Sequence, residues 1–128
     1  MMQISQMKPC IRGQYVIREI KQILACSMGD YPNFPMLAHA FNMSGRTLRR
    51  QLADMGTSYQ KLLDEFRSEQ AKRLLLETEL ATDDIAERLG FSDVANFRHA
   101  FKKWEGISPT AFRQQCHRTL PTLYAQAS

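Results

Sequence analysis

The chain has 128 residues, 14.8 kDa, 44% hydrophobic residues, and 17 Lys and Arg against 13 Asp and Glu. That length allows one domain or two very small ones, the composition excludes a wholly disordered chain, and a net charge of +4 admits a polyanionic partner without requiring one. No apolar run approaches the ~18 residues of a membrane span, and the first dozen residues, with Lys8, Pro9 and Arg12, lack the apolar stretch of a secretory signal.

Ile23-Leu24-Ala25-Cys26 has the wording of a lipoprotein cleavage site but stands behind Arg18, Glu19 and Lys21, which disfavours that reading. Cys10, Cys26 and Cys116 are an odd count at wide spacing, which fits reduced thiols in a cytosol rather than a disulfide framework or a zinc site.

Residues 1–12 are polar, contain Pro9 and read as a flexible lead. From Gly13 the apolar positions Val16, Ile17, Ile20, Ile23 and Leu24 recur at three and four, the stripe of an amphipathic helix that stops near Met28-Gly29. Gly29 to Pro35, with two prolines and a glycine, reads as a loop. Short helices broken at glycines follow, except for one longer stretch over 58–77. There Tyr59, Leu62, Leu63, Phe66, Gln70 and Leu74 share a face, with Ala71 and Leu75 beside it and Lys61, Asp64, Glu65, Ser68, Glu69, Lys72 and Arg73 on the others. At 1.5 Å per residue it forms a rod of roughly 30 Å. No strand alternation of useful length occurs, so the fold class is all-α. Residues 117–128 form a tail with no reading of their own.

The chain repeats itself. Leu37-Ala38 and Ile85-Ala86 lie 48 residues apart, as do Phe41 and Leu89, Met43 and Phe91, and Ser44 and Ser92. Leu48 then pairs with Phe97 and Leu52 with Phe101 at a spacing of 49, and Gly56 pairs with Gly106 and Ser58 with Ser108 at 50. Similarity that survives small length changes in turns marks a duplicated supersecondary unit.

The second copy shows what the unit is. Thr82 reads as an N-cap, with Asp83 and Asp84 in the first turn, where negative charge suits the helix dipole. Ile85, Ala86 and Leu89 form a short apolar face. Gly90 ends that helix in the left-handed conformation, Phe91 plugs the turn, and Ser92 caps a second helix with Asp93 behind it. Phe97, Ala100, Phe101 and Trp104 give the second helix its buried side and Gly106 ends it. Two short helices, a tight turn and a small Ala at the crossing describe a helix-turn-helix. The first copy, over 36–55, follows the same plan, with Asn42 in the glycine's place and Ser44 as cap. The second spans 83–105.

The charge lies on the outer faces of the two second helices. The first carries Arg46, Thr47, Arg49 and Arg50; the second carries Asn96, Arg98, His99, Lys102 and Lys103. Residues 46–50 and 98–103 hold six Lys and Arg and no acid, while the remaining 11 basic residues stand against all 13 acidic ones, a balance of −2. An arginine fork matches O6 and N7 of guanine or grips a phosphate, Asn96 addresses adenine in the same way, and Lys102 and Lys103, near the helix end, suit phosphates.

With these residues in view the sequence resembles the AraC/XylS family of bacterial transcription regulators. The resemblance is carried by Asp84-Ile85-Ala86-Glu87-Arg88-Leu89-Gly90-Phe91-Ser92-Asp93, by Phe97 to Trp104, and by Gly106-Ile107-Ser108-Pro109-Thr110-Ala111-Phe112-Arg113. Met43 to Leu52 and the join Gly56-Thr57-Ser58-Tyr59 are similar to it too, with Gly45 where many relatives have Pro and Asn42 where many have Gly.

The resemblance implies a DNA-binding domain over 13–116. Its fold has seven helices in two homeodomain-like helix-turn-helix subdomains, joined by the long linker helix. Both recognition helices are expected to enter successive major-groove segments of double-stranded DNA. The ~30 Å rod agrees with the ~34 Å of one turn, and a stiff rod can require the DNA to bend. Carried over by position, base reading falls on Arg46, Arg49 and Arg50 in the first unit and on Ala95, Asn96, Arg98 and His99 in the second. Ala95 offers only a methyl contact, so base reading leans on the first unit.

Further expectations attach to the resemblance. The chain is a sequence-specific regulator, an activator that also touches RNA polymerase, working in the cytoplasm at the nucleoid. It needs no cofactor, is not an enzyme and does not bind membranes. The wording of Gly56 to Tyr59 and of Lys102 to Gly106 favours the C-terminal domain of a longer ligand-responsive protein over a stand-alone monomeric member. This domain is then monomeric, and dimerisation comes from an N-terminal domain. Too few residues precede the first helix for a sensor.

A second class of reading, a helical adaptor for acidic proteins, uses the same basic faces; a third is an enzyme fragment around Cys10. His39, His99 and His117 have no ligand partners at helical spacing. Pro9-Cys10-Ile11-Arg12 lacks the activating His that a DNA alkyl-repair nucleophile needs.

Overall fold

The protein is described by a computed structural model over residues 9–116. The expectations for residues 1–8, for His117 and for the 117–128 tail lie outside those described residues. Seven helices and no strand occur among them: α1 (Pro9–Cys26), α2 (Phe34–Ala40), α3 (Gly45–Asp54), α4 (Tyr59–Glu77), α5 (Thr82–Arg88), α6 (Val94–Glu105) and α7 (109–116). The chain divides into two compact units at Phe66/Arg67, so α4 gives its first residues to one unit and its last to the other.

In the first unit α1 buries Val16, Ile20 and Leu24, the stripe read from the sequence, against Leu37, Ala38, Leu48, Leu52 and Leu62. The helix begins at Pro9 rather than at Gly13, so 9–12 belong to it and not to a flexible lead. Proline suits a helix's first turn because its missing N–H has no intrahelical partner there. Gly13 therefore lies inside α1, where a Cβ would come within 2.5 Å of Met55 Cγ. The loop ahead of α2 is also shorter than expected. Asn33 accepts a hydrogen bond from Met36 N–H at 2.9 Å and Pro35 stands in the first turn, so Phe34 and Pro35 are helical.

The second unit packs Ala71 and Leu75 of α4, Ile85, Ala86 and Leu89, and Phe97 and Phe101 of α6. Phe101 meets Phe97 at 5.9 Å and Phe112 of α7 at 5.5 Å, both edge to face. Arg113 of α7 reaches back to α4, donating from Nε to Leu75 O at 3.1 Å and from Nη2 to Thr78 O at 3.2 Å. These are carbonyls at a helix end that its own backbone leaves unpaired.

The long helix departs from the single stripe of the sequence reading. Ala71 and Leu75, placed beside the stripe, are fully buried, and Ser68, placed outside it, is only 9% exposed. Ser68 Oγ donates to Glu105 Oε1 at 3.0 Å, and Lys72 pairs with the same oxygen at 3.2 Å. Each half of α4 serves its own core, so one periodicity does not describe both.

The repeat holds down to single hydrogen bonds. Met43 N–H donates to Ala38 O and Phe91 N–H donates to Ala86 O, each at 3.0 Å. Asn42 has φ 55° and Gly90 φ 84°. Ser58 Oγ accepts from Lys61 N–H and Ser108 Oγ from Ala111 N–H, capping α4 and α7 alike.

Two caps in the second copy differ from the sequence reading. Thr82 is already helical, and the cap position is Ala81, which has no side chain to offer. Helix α6 is capped by Asp93, whose carboxylate accepts from Asn96 N–H at 2.7 Å, rather than by Ser92. Ser44, which accepts from Thr47 N–H at 3.1 Å, is thus the counterpart of Asp93. The extra residue of the second copy is Ser92, in the turn.

Two stability predictions follow from these turns. Asn42→Ala should lower the unfolding free energy by ~1 kcal/mol and Asn42→Gly should not, because a Cβ without a compensating amide is strained at positive φ. Asp93→Ala should cost ~1 kcal/mol and Ser92→Ala less than half of that. Urea midpoints at constant slope measure all four variants.

Candidate nucleic-acid interface

The apolar residues of α3 and α6 fix what their other faces can do. Leu48 and Leu52 on α3, and Phe97 and Phe101 on α6, are at most 1% exposed, which turns the intervening positions to solvent. Arg46, Thr47, Arg49, Arg50, Ala95, Asn96, Arg98, His99, Lys102 and Lys103 are all exposed. The first four share the outer side of α3 and the last six share that of α6, each set within its own unit.

The repeat register makes the two faces comparable. At the spacing of 49 set by the buried pairs, Arg46 corresponds to Ala95, Thr47 to Asn96, Arg49 to Arg98 and Arg50 to His99. Three arginines in the first unit stand against one arginine and a histidine in the second. Helix α6 adds Lys102 and Lys103 in its last turn, where cations also suit the helix dipole. Among the described residues no ion pair holds Arg46, Arg50, Arg98, Lys102 or Lys103. Positive charge on these helices is therefore left for an external anion.

Thr47 and Asn96 are less free than the sequence suggests. Both stand at the third helical position, and both side chains join their caps. Ser44 Oγ donates to Thr47 Oγ1 at 2.9 Å. Asn96 Nδ2 donates to Ser92 Oγ at 2.8 Å and to Asp93 Oδ2 at 3.4 Å. In both helices the third-position side chain thus bonds the side chains at the cap rather than the cap's backbone N–H. A two-bond contact of Asn96 with adenine uses the amide N–H that the cap already engages, whereas Oδ1 is not engaged in the cap.

Arg49 is also held. Its guanidinium lies over the Phe34 ring, 5.1 Å from the centroid. Phe34 lies 15 residues earlier in the chain and had no role in the sequence reading, because nothing in the local pattern of α3 points to it. Asp93 was noted only as a neighbour of the cap. Its weight comes from a one-residue difference in where the helix starts.

Other candidate chemistry does not assemble. Among the described residues no three His, Cys, Asp or Glu side chains form a metal-ligand group. His39 is exposed on α2, Cys26 is exposed and Cys116 half-buried, and neither cysteine is bridged. No described helix is long and apolar enough to cross a membrane.

Comparison with known proteins agrees with this geometry. The sequence pattern of the family described as a helix-turn-helix domain matches residues 37–115. The chain is 39% identical over 99 residues to the ornithine utilization regulator of Pseudomonas aeruginosa, covering 77% of this chain and 29% of that protein. It is 28% identical to the crystallised DNA-binding domain of AdpA, a global transcriptional factor in complex with a target DNA, with a TM-score of 0.73 over 82% of this chain and 96% of that one. A regulator from Chromobacterium violaceum described as having an AraC-type DNA-binding domain has the same fold, with 23% identity and a TM-score of 0.76 over 83% of this chain and 96% of that one. The chain spans about three tenths of the length of the curated relatives it matches. Tandem units that share the same turn bond, and a family match running from the first unit through the second, place this chain in the helix-turn-helix family as an AraC-type DNA-binding domain.

Proposed function

We propose that this chain is the sequence-specific DNA-binding domain of a transcription activator, and that α3 and α6 each enter a major-groove segment of double-stranded DNA. The observation that carries the reading is the pairing of buried Leu48/Leu52 and Phe97/Phe101 with exposed basic faces at equivalent positions of two repeated units. A solvated basic helix needs no such repetition.

In this reading Arg46, Arg49 and Arg50 read base edges, with a fork suited to O6 and N7 of guanine. Arg98 and His99 read the second segment. Asn96 contributes its free Oδ1 as an acceptor, which suits an amino group such as N4 of cytosine. Ala95 touches a methyl group at most, and Thr47 has a hydroxyl proton left to donate. Lys102 and Lys103 grip phosphates and set the salt dependence. The domain over 13–116 acts through its two units, 36–55 and 83–105, with 58–77 between them.

The longer reach of the curated relatives supports reading the chain as one domain of a larger regulator; its place at the C-terminus and a response to a ligand are part of the proposal. Contact with RNA polymerase, action at the nucleoid in the cytoplasm, and a monomeric domain whose dimerisation comes from an N-terminal partner belong to the same proposal. So does the absence of any catalytic step.

Selection from a random duplex library, followed by a salt titration of the winner, tests the reading. Two enriched blocks about one helical turn apart are expected. No enriched motif would sink the proposal and favour a helical adaptor for acidic proteins. Arg49→Ala should cost ~1–3 kcal/mol on the preferred duplex and relax one base position, whereas Lys102→Ala should weaken all duplexes alike and lower the salt slope by ~1. Equal loss from Arg49→Ala on every sequence would assign Arg49 to phosphate.

A further inference from the structure

Arg49 and Arg98 occupy equivalent positions in the repeat, but their surroundings differ. Arg49 has the Phe34 ring beneath it, at the first residue of α2. Forty-eight residues on, at the first residue of α5, stands Thr82, which has no ring. Gly45, one turn before Arg49 on α3, lies beside the same ring: a Cβ there would stand in ordinary contact with Phe34 Cε2 at 3.6 Å. The corresponding residue of α6 is the β-branched Val94.

Phe34 is itself held in position. Its ring lies 6.2 Å from that of Tyr59, and Tyr59 Oη donates to Pro32 O at 2.7 Å. Asn33, between Pro32 and Phe34, caps α2. Loop, ring and the start of α4 form one fixed platform within the first unit.

We infer that Phe34 is a positioning residue, an aromatic seat that orders the Arg49 guanidinium before DNA arrives and so concentrates base discrimination in the first unit. The inference rests on the reading of Arg49 as a base contact. A free arginine loses much rotamer freedom when it is fixed against a base. A guanidinium over a ring is attracted through its face and keeps its N–H edge for hydrogen bonds. Part of the ordering is then complete in the unbound protein, and less is lost on binding. Arg98 has no such seat, because the position equivalent to Phe34 is held by Thr82.

The test is a double-mutant cycle on the whole chain, with affinities for the preferred and for random-sequence duplexes at one salt concentration. Phe34→Leu is expected to weaken the preferred complex about two- to fivefold, the scale of an exposed cation–π contact, and to leave random-duplex binding unchanged. Phe34→Tyr keeps a ring and should retain full affinity. In the Arg49→Ala background Phe34→Leu should have no further effect. Melting temperatures report folding, and Phe34→Met serves if the leucine variant unfolds.

The same factor lost in both backgrounds, or on both kinds of duplex, overturns the inference and leaves Phe34 a packing residue. Discrimination that survives Arg49→Ala defeats the base-reading assignment and the seat with it. Discrimination lost with Arg49→Ala but uncoupled from Phe34 defeats the seat alone.

Discussion

The turn between the two short helices of each unit sets everything that follows it. In both units it closes through the same bond, from the N–H three residues after the helix to an alanine carbonyl, at 3.0 Å. The bond needs one residue at positive φ, supplied by Asn42 in the first unit and Gly90 in the second. It also needs a small residue at the crossing, and Ala38 and Ala86 are at most 3% exposed there. A larger side chain would move the second helix outward. With turn and crossing fixed, the direction in which α3 leaves α2, and α6 leaves α5, is fixed too.

Helical geometry then does the rest. Once Leu48, Leu52, Phe97 and Phe101 are buried, a rotation of 100° per residue dictates which side chains face outward. Surface charge on these helices is thus a consequence of core packing. The caps add a second constraint. Ser44 and Asp93 start the helices, and each recruits the side chain at the third helical position, Thr47 or Asn96. A residue whose position suits groove contact therefore spends part of its hydrogen-bonding capacity on the helix that presents it.

The sequence exposed the features governed by short-range periodicity. Both units, the stripe of α1, the positive-φ positions and the basic faces are all set by neighbours within about seven residues. It misplaced features decided by competition or by distance. Ser92 and Asp93 are both good caps, and only the start of α6 chooses between them. Ser68 looked solvent-facing because its partner, Glu105, lies 37 residues away. Arg113 finds the end of α4 from 38 residues away. Phe34 meets Arg49 only because α2 and α3 pack, which local pattern does not encode.

The duplicated frame makes the differences between its copies more informative than the likeness. Backbone bonds, cap positions and core positions agree, while the outer faces differ. The first unit carries Arg46, Arg49 and Arg50 at positions where the second carries Ala95, Arg98 and His99. The second instead carries Lys102 and Lys103 where the first has Ala53 and Asp54. Forked donors gather on α3, and point charges gather late on α6; on the proposed reading the former address base edges and the latter phosphates. On the proposed reading one unit chiefly discriminates and the other chiefly holds. A net charge of +4 supports both tasks because it is concentrated on two helices and offset elsewhere by an acidic body.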